Sequence, residues 1–162
     1  METKTIPFTY EEYDSPEELQ PHDRDLLSCA KEALKNAYAP YSRYHVGAAI
    51  LLGNGKIFTG NNQENMAFPS GLCAERVAIY SAAANNPGVA IKTIAISAHS
   101  DKFPVTEPVA PCGSCRQAMI EYEMFQKQNI RIILQGDTGK ILVIGSIESL
   151  MPLSFRENGL KK

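Results

Sequence analysis

Positive charge is in slight deficit in this sequence. Sixteen lysines and arginines stand against 18 aspartates and glutamates, and the formal net charge is −2. The basic residues are scattered along the chain and form no stripe. A protein that binds a nucleic-acid backbone ordinarily carries such a stripe on one face. We therefore expect no nucleic-acid partner.

Extended apolar segments are also missing. No stretch approaches the roughly 20 apolar residues that a membrane-spanning helix needs. Residues 1–13 include Glu2, Glu11 and Glu12 and contain no apolar segment of the kind found in secretory signals. These observations lead us to expect a cytoplasmic protein with no membrane partner.

Cysteine is scarce, with four residues in a chain of 162. In a protein without an export signal, we expect these cysteines to be thiols or metal ligands rather than disulfides. The remaining composition is that of an ordinary globular protein, with 44% hydrophobic and 21% charged residues. The length is typical of a single domain.

Hydrophobic periodicity divides the chain into alternating helices and strands. Apolar residues recur at helical spacing over residues 22–38, and Asn54-Gly55 between two apolar segments predicts a hairpin. The predicted order is helix, two strands, helix, strand, helix and two strands, at residues 22–38, 46–52, 56–60, 73–85, 91–98, 112–128, 130–135 and 140–144, with a short helix near 148–150.

This order predicts one α/β domain over residues 21–162, because helices that alternate with strands pack on the faces of one sheet. We expect a five-stranded mixed sheet between helices, in three α-β-α layers. Residues 1–20 are predicted to form an N-terminal extension with little structure.

Three of the four cysteines form a pattern that suits a metal ion. Cys112 and Cys115 are three residues apart and follow Pro111, while Cys73 lies earlier in the chain. Both motifs fall at predicted helix starts, where unpaired amides and the helix dipole favour thiolates. A structural zinc usually takes four protein ligands, whereas a hydrolytic zinc takes three and leaves one position for water. Three cysteines with an acid two residues after the first are typical of zinc-dependent nucleobase deaminases.

Glu75 and Arg76 follow the first of these cysteines. Glu75 is predicted to act as a general acid and base toward a zinc-activated water. Arg76 is predicted to offset thiolate charge by donating a hydrogen bond to a ligand sulfur. Residues two apart on a helix do not share a face. Glu75 and Cys73 can therefore reach one pocket only if Cys73 lies at the very beginning of its helix.

Considered alone, the cysteine pair is compatible with several kinds of site. Cys-x-x-Cys also occurs in structural zinc sites and in redox proteins. A closed site would need a fourth ligand from His22, His45 or His99, and none of these has motif spacing. A non-catalytic zinc scaffold would need neither Glu75 nor an open position. Cys29 lies beside the apolar face of the first helix and is predicted to be a packed thiol.

Taken in order, these motifs resemble the cytidine deaminase family. The matching segments are 39–49 (APYSRYHVGAA), 60–65 (GNNQEN), 73–76 (CAER), 111–116 (PCGSCR) and 150–155 (LMPLSF), and the resemblance covers about residues 22–156. It implies a cytidine deaminase-like fold with one zinc per subunit. It also implies hydrolytic deamination of cytidine and deoxycytidine to uridine and deoxyuridine, by a homotetramer whose pockets are partly built from neighbouring chains.

The resemblance implies roles at individual positions. Asn62 and Glu64 match residues that bind the ribose, and they are two apart at the end of a predicted strand, so both are expected on one face. Tyr44 matches a residue that contacts the base, and the amide of Ala74 is expected to face the base. Phe155 matches an aromatic residue that the family lends to a pocket, often in a neighbouring subunit. Without the resemblance, Asn62 and Glu64 could simply be polar residues of a solvated turn. Phe155 could equally be an apolar residue in the core of a subunit interface.

Three positions depart from the usual residues of the family. Tyr44 stands where phenylalanine is common, His45 stands where proline is usual, and Phe68 stands where a tyrosine often lies. These departures bear on the shape of the pocket and leave the metal chemistry unchanged.

Two related activities remain open on the sequence alone. A zinc deaminase of another aminopyrimidine, such as blasticidin S, shares the cysteine motifs. A nucleic-acid cytosine or adenine editor shares the zinc core, but such a protein needs a positive groove for the phosphate backbone. The net charge of −2 argues against the editor.

Overall fold

The computed structural model describes residues 1–156 and Leu160, and the end of the predicted domain lies outside these residues. Within them, six strands are formed by β1 (Glu11–Tyr13), β2 (Tyr44–Leu52), β3 (Ile57–Asn61), β4 (Ile91–Ser100), β5 (Arg131–Gln135) and β6 (Ile141–Ile144). The α-helices of the same residues are α1 (Pro21–Leu34), α2 (Ala74–Asn85) and α3 (Gly113–Gln126). Short 3₁₀ helices occur at Pro16–Glu18, Phe68–Ser70 and Glu148–Leu150.

The strands form one mixed sheet in the order β1-β6-β5-β4-β2-β3. Among these six strands, only β4 and β5 are parallel neighbours, and α3 is the crossover helix that this pairing requires. The other neighbours pair antiparallel. The predicted α/β domain with a mixed sheet is confirmed.

The predicted count of five strands is wrong by one, because β1 adds a sixth strand at the edge. Its residues Glu-Glu-Tyr are mostly exposed, so they show no alternation that periodicity could detect. β1 is held instead by pairing with β6, where Glu11 lies opposite Val143 and Tyr13 opposite Ile141. Lys140 adds ion pairs to Glu12 at 2.6 Å and to Asp14 at 3.0 Å.

The sheet lies between two helical layers, as predicted. On one face, Ile50, Ile94 and Ile132 pack in a cluster with residues of α2 and α3. On the other face, Ala49, Ala95 and Ile133 pack in a cluster with the apolar side of α1 (Leu26, Leu27 and Ala30). Adjacent strand residues therefore serve opposite layers, since side chains alternate across a strand. Cys29 packs against the α1 cluster as a free thiol, as expected.

Two glycines allow helices to approach the sheet closely. A Cβ at Gly47 would lie 2.0 Å from the carbonyl oxygen of Ala30 in α1. A Cβ at Gly60 would lie 2.5 Å from the amide nitrogen of Ala78 in α2. The start of α2 is thus seated directly on the end of β3.

The first helix is shorter than predicted, because it ends at Leu34 rather than at residue 38. The amide of Ala37 donates to Leu34 in a tightened last turn, and the amide of Tyr38 donates to the carbonyl of Asn62 instead of continuing the helix. Among the described residues, none of the helices is long and apolar enough to cross a membrane.

Candidate metal and active site

Two helix starts meet at the three predicted cysteines. Cys73 is the N-cap of α2 and Cys112 is the N-cap of α3, both with extended backbone angles, while Cys115 lies in the first turn of α3. Glu75 is the second residue of α2. The requirement that Cys73 stand at the very beginning of its helix is met. Cys73 and Glu75 line the same cavity.

The three sulfur atoms form a group of suitable size for zinc. The Sγ atoms of Cys73, Cys112 and Cys115 all lie within 4.8 Å of one another. Sulfurs bound tetrahedrally to zinc at about 2.3 Å stand about 3.8 Å apart. The cluster can therefore hold a zinc ion with small side-chain adjustments. Over residues 1–156 with Leu160, no histidine or carboxylate joins this group and no second group of its kind occurs.

Hydrogen bonding within the cluster favours one thiolate. The contact with Cys115 is the largest cause that lowers the pKa of Cys73 to about 5, and Arg76 acts in the same direction. The same contact raises the pKa of Cys115. Nη2 of Arg76 lies 3.9 Å from the Cys73 sulfur, and its Nε is buried without a hydrogen-bond partner among the described residues. A positive charge therefore stands beside the sulfurs.

Glu75 is a buried carboxyl group beside these sulfurs, and its residue is 5% exposed. Burial is the largest cause that raises its pKa, and the negative charge of Cys73 acts in the same direction. A carboxyl group whose pKa lies above its ordinary value donates a proton more readily in its acid form and accepts one more strongly as a carboxylate.

The cavity in front of the sulfurs has a volume of about 790 Å³. This size is typical of small-molecule sites. Residues at the two helix starts and polar residues of the loops beyond β3 share its wall. The predicted site residues that line it are Tyr44, Asn62, Glu64, Cys73, Glu75, Arg76 and Cys112.

Asn62 and Glu64 lie just beyond the end of β3, at Asn61. The side-chain oxygen of Asn62 accepts from the amide of Val46 at 2.8 Å, and its nitrogen donates to the carbonyl of Tyr44 at 2.9 Å. The carboxylate of Glu64 accepts from the amides of Tyr41 and Ser42 at 2.8 and 3.3 Å. Asn62 thus braces β2, while Glu64 keeps one oxygen outside these amide bonds.

Burial would raise the pKa of Glu64, but hydrogen bonds from Ser42 and from the amide of Tyr41 outweigh it. The net effect lowers the pKa, and the neighbouring His45 contributes to this lowering. Glu64 is therefore held in its charged form, which accepts hydrogen bonds and repels anions.

Three predicted site residues, Ala74, Cys115 and Phe155, do not line the cavity. Cys115 is fully buried and belongs to the site through its sulfur in the cluster. The side chain of Ala74 is fully buried in the core under α2. Phe155 is 70% exposed, and its carbonyl accepts from Gln117 at 3.4 Å. Within one chain, the aromatic ring of Phe155 is therefore not part of the site.

Several lining residues could not be assigned from the sequence. Tyr41 and Ser42 lie within the motif at residues 39–49, so their position was signalled but their amide donors were not. Tyr41 meets Phe68 edge to face with ring centroids 6.0 Å apart. Val109 and Ala110 complete the wall, and nothing in their chemistry marks them in advance.

A three-layer α/β domain with three thiols at two helix starts and a buried carboxyl group defines the class of zinc-binding hydrolytic proteins. The family described as "Cytidine and deoxycytidylate deaminase zinc-binding region" matches residues 20–129. A cytidine deaminase of Sporosarcina psychrophila is 41% identical over 136 residues, which are 83% of this chain and 92% of that protein.

Solved structures show the same fold. The cytidine deaminase of Burkholderia pseudomallei superposes with a TM-score of 0.71 at 38% identity, covering 85% of this chain and 100% of that chain. That of Mycobacterium tuberculosis gives 0.65 at 26% identity, covering 85% and 100%. The chain belongs to the cytidine and deoxycytidylate deaminase family.

Proposed function

We propose that this chain catalyses the hydrolytic deamination of cytidine and deoxycytidine to uridine and deoxyuridine. One observation carries the proposal. A cluster of three thiols and a buried carboxyl group borders a cavity that a charged carboxylate, Glu64, also lines. The names of the relatives support this choice of substrate, since the proteins with 41% and 38% identity are cytidine deaminases.

Cys73, Cys112 and Cys115 would hold the zinc ion. When bound, zinc lowers the pKa of water and supplies the nucleophile for hydrolysis. Glu75 would accept one proton of the attacking water and deliver it to the pyrimidine ring nitrogen. It would then carry the second proton, from the hydroxyl group added to the ring carbon, to the amine, which leaves as ammonia. Burial raises the pKa of Glu75, which makes its protonated form a more available proton donor.

Asn62 and Glu64 are proposed to bind the sugar. Glu64 lies in the cavity with one oxygen outside its amide bonds, where it can accept a sugar hydroxyl. Its negative charge would repel a phosphate group. The site therefore suits a nucleoside better than a nucleotide or a DNA strand, which disfavours the nucleic-acid editor.

The base is proposed to lie between Tyr44 and the start of α2, where the amide of Ala74 would face it. Tyr44 lines the cavity beside Phe103, with ring centroids 6.2 Å apart. Phe155 is exposed and outside its own cavity, which suits a ring donated to a neighbouring subunit. We propose that the subunits form a homotetramer, as the resemblance to the family implies. We also propose a cytoplasmic location, where cysteines ordinarily remain reduced.

The assigned role of Glu75 is tested by Glu75→Gln, which keeps the shape of the side chain and removes its proton transfer. We expect this variant to bind zinc at wild-type stoichiometry and to lose turnover of cytidine by about 10²- to 10⁴-fold. Glu107→Gln, on the exposed loop before α3, is the matched control and should keep full activity. Cytidine absorbance and metal analysis provide both measurements. Unchanged turnover in Glu75→Gln would refute the role, and faster turnover of blasticidin S than of cytidine by the wild type would refute the substrate.

A further inference from the structure

Two histidines face each other across neighbouring strands outside the metal site. His45 of β2 is paired with His99 of β4, and their ring centroids are 6.2 Å apart. Asp101 stands between them: its two carboxylate oxygens lie 3.4 Å from Nε2 of His45 and 3.6 Å from Nε2 of His99. We call His45, His99 and Asp101 the histidine cluster.

Charged groups of other segments lie beside the histidine cluster or beside its neighbour Asp137. Nδ1 of His99 lies 2.7 Å from the carboxylate of Asp137, in the turn between β5 and β6. Lys31 of α1 donates to the carbonyl of Asp137 at 3.1 Å. The guanidinium of Arg43 lies 3.8 Å from the carboxylate of Asp101. His45 is also close enough to Glu64 to lower the pKa of its carboxyl group. Each histidine thus faces at least one carboxylate.

The histidine cluster is joined to the loop that holds Glu64. The amide of Asp101 donates to the carbonyl of Arg43, and the amide of Arg43 donates to Ala39, which closes the turn at residues 39–43. The same turn presents the amides of Tyr41 and Ser42 to the Glu64 carboxylate. Asp101 therefore anchors one side of the loop, and Glu64 is bound on the other side.

We infer that His45 and His99 are positioning residues. When protonated, they bind the carboxylate of Asp101 and stabilise the turn at residues 39–43. That turn holds Glu64 in the position needed for sugar binding. This inference rests on the proposed function, because Glu64 is assigned to the sugar there. Histidine is the side chain whose charge ordinarily changes between pH 5 and 8. When both rings are protonated, the arrangement contains three ion pairs, His45–Asp101, His99–Asp101 and His99–Asp137. These ion pairs exist only while the rings are protonated, so the arrangement loosens when the rings lose their protons.

We expect the KM for cytidine to depend on pH through these histidines, whereas kcat should not depend on them. The side chains of the cluster are 22–43% exposed, so each ion pair contributes modestly. We expect the KM for cytidine of the zinc-loaded wild type to rise about two- to fivefold more between pH 6 and pH 8 than that of His45→Gln or Asp101→Asn. The kcat profile should be common to all three proteins, because it reports the chemistry at Glu75.

The matched control is His22→Gln, which removes the third histidine, at the exposed start of α1. It should show the wild-type pH dependence of KM. A second readout needs no turnover: hydrogen exchange of the Tyr41 and Ser42 amides, corrected for intrinsic rates. Protection should fall from pH 6 to pH 8 in the wild type and stay constant in His45→Gln.

Identical KM profiles in the wild type and His45→Gln, or pH-independent protection of these amides in the wild type, would overturn the inference. A wild type that turns over no cytidine at either pH would overturn the proposed function instead. The exchange measurement would still decide whether the histidines hold the loop.

Discussion

Arg76 places a guanidinium 3.9 Å from the sulfur of Cys73 at the candidate metal site. Three thiolates around one divalent zinc leave a net negative charge, and a neighbouring cation stabilises that charge. Arg76→Gln keeps a polar side chain of reduced length and removes the charge. We expect it to weaken zinc binding by about 10- to 100-fold, measured by competition with a coloured chelator.

Arg24→Gln is the control for this substitution, because Arg24 is an exposed residue of α1, the helix on the face of the sheet opposite to α2 and α3. Its zinc affinity should equal that of the wild type. Equal affinity in Arg76→Gln would show that the guanidinium does not offset the charge of the sulfurs.

The seating of α2 on β3 depends on Gly60. A Cβ at this position would lie 2.5 Å from the amide nitrogen of Ala78 and 2.7 Å from the carbonyl oxygen of Ala74, so the helix would have to move. We expect Gly60→Ala to reduce the free energy of unfolding by about 1–3 kcal/mol. Because Cys73 and Glu75 lie at the start of this helix, kcat for cytidine should fall as well.

Gly145→Ala is the matched glycine substitution, since a Cβ there meets nothing within 4 Å among the described residues. Thermal unfolding followed by circular dichroism, together with cytidine turnover, compares the two variants. A Gly60→Ala protein with wild-type stability and activity would show that α2 can shift without cost to the site.

At the level of the assembled protein, the position of Phe155 raises the question whether each chain forms its active site alone or receives an aromatic ring from a neighbouring subunit. Its ring is exposed and lies outside the cavity of its own chain. Stacking of a base on an aromatic ring is worth about 1–3 kcal/mol. We therefore expect Phe155→Ala to lower kcat/KM for cytidine by about 5- to 150-fold.

A mixture of Phe155→Ala and Glu75→Gln chains tests where the ring acts. If Phe155 serves a neighbouring site, mixed assemblies contain sites with an intact Glu75 and a donated Phe155, and activity should return after subunit exchange. Mass measurement in solution should give four chains of 17.8 kDa. Additive activities without recovery would contradict donation between subunits.

Features that depend on neighbours in the chain could be predicted from the sequence. Cys112 and Cys115 lie three apart, so one helical turn brings them together wherever the helix packs. The continuous apolar run of β2, the alternation along β4 and the Asn54-Gly55 turn likewise express local preferences. The mixed sheet, the three helices and the cysteine pattern followed from such signals.

Features that depend on distant partners came from the packing of the whole chain. β1 forms because it pairs with the edge strand β6, although the pattern of its own residues does not predict a strand. Glu64 is held at the cavity because two amides of another loop bind it. His45 and His99 meet because the register of β2 and β4 sets them opposite each other. Contacts between residues far apart in sequence leave no periodic trace, and only the folded chain brings them together.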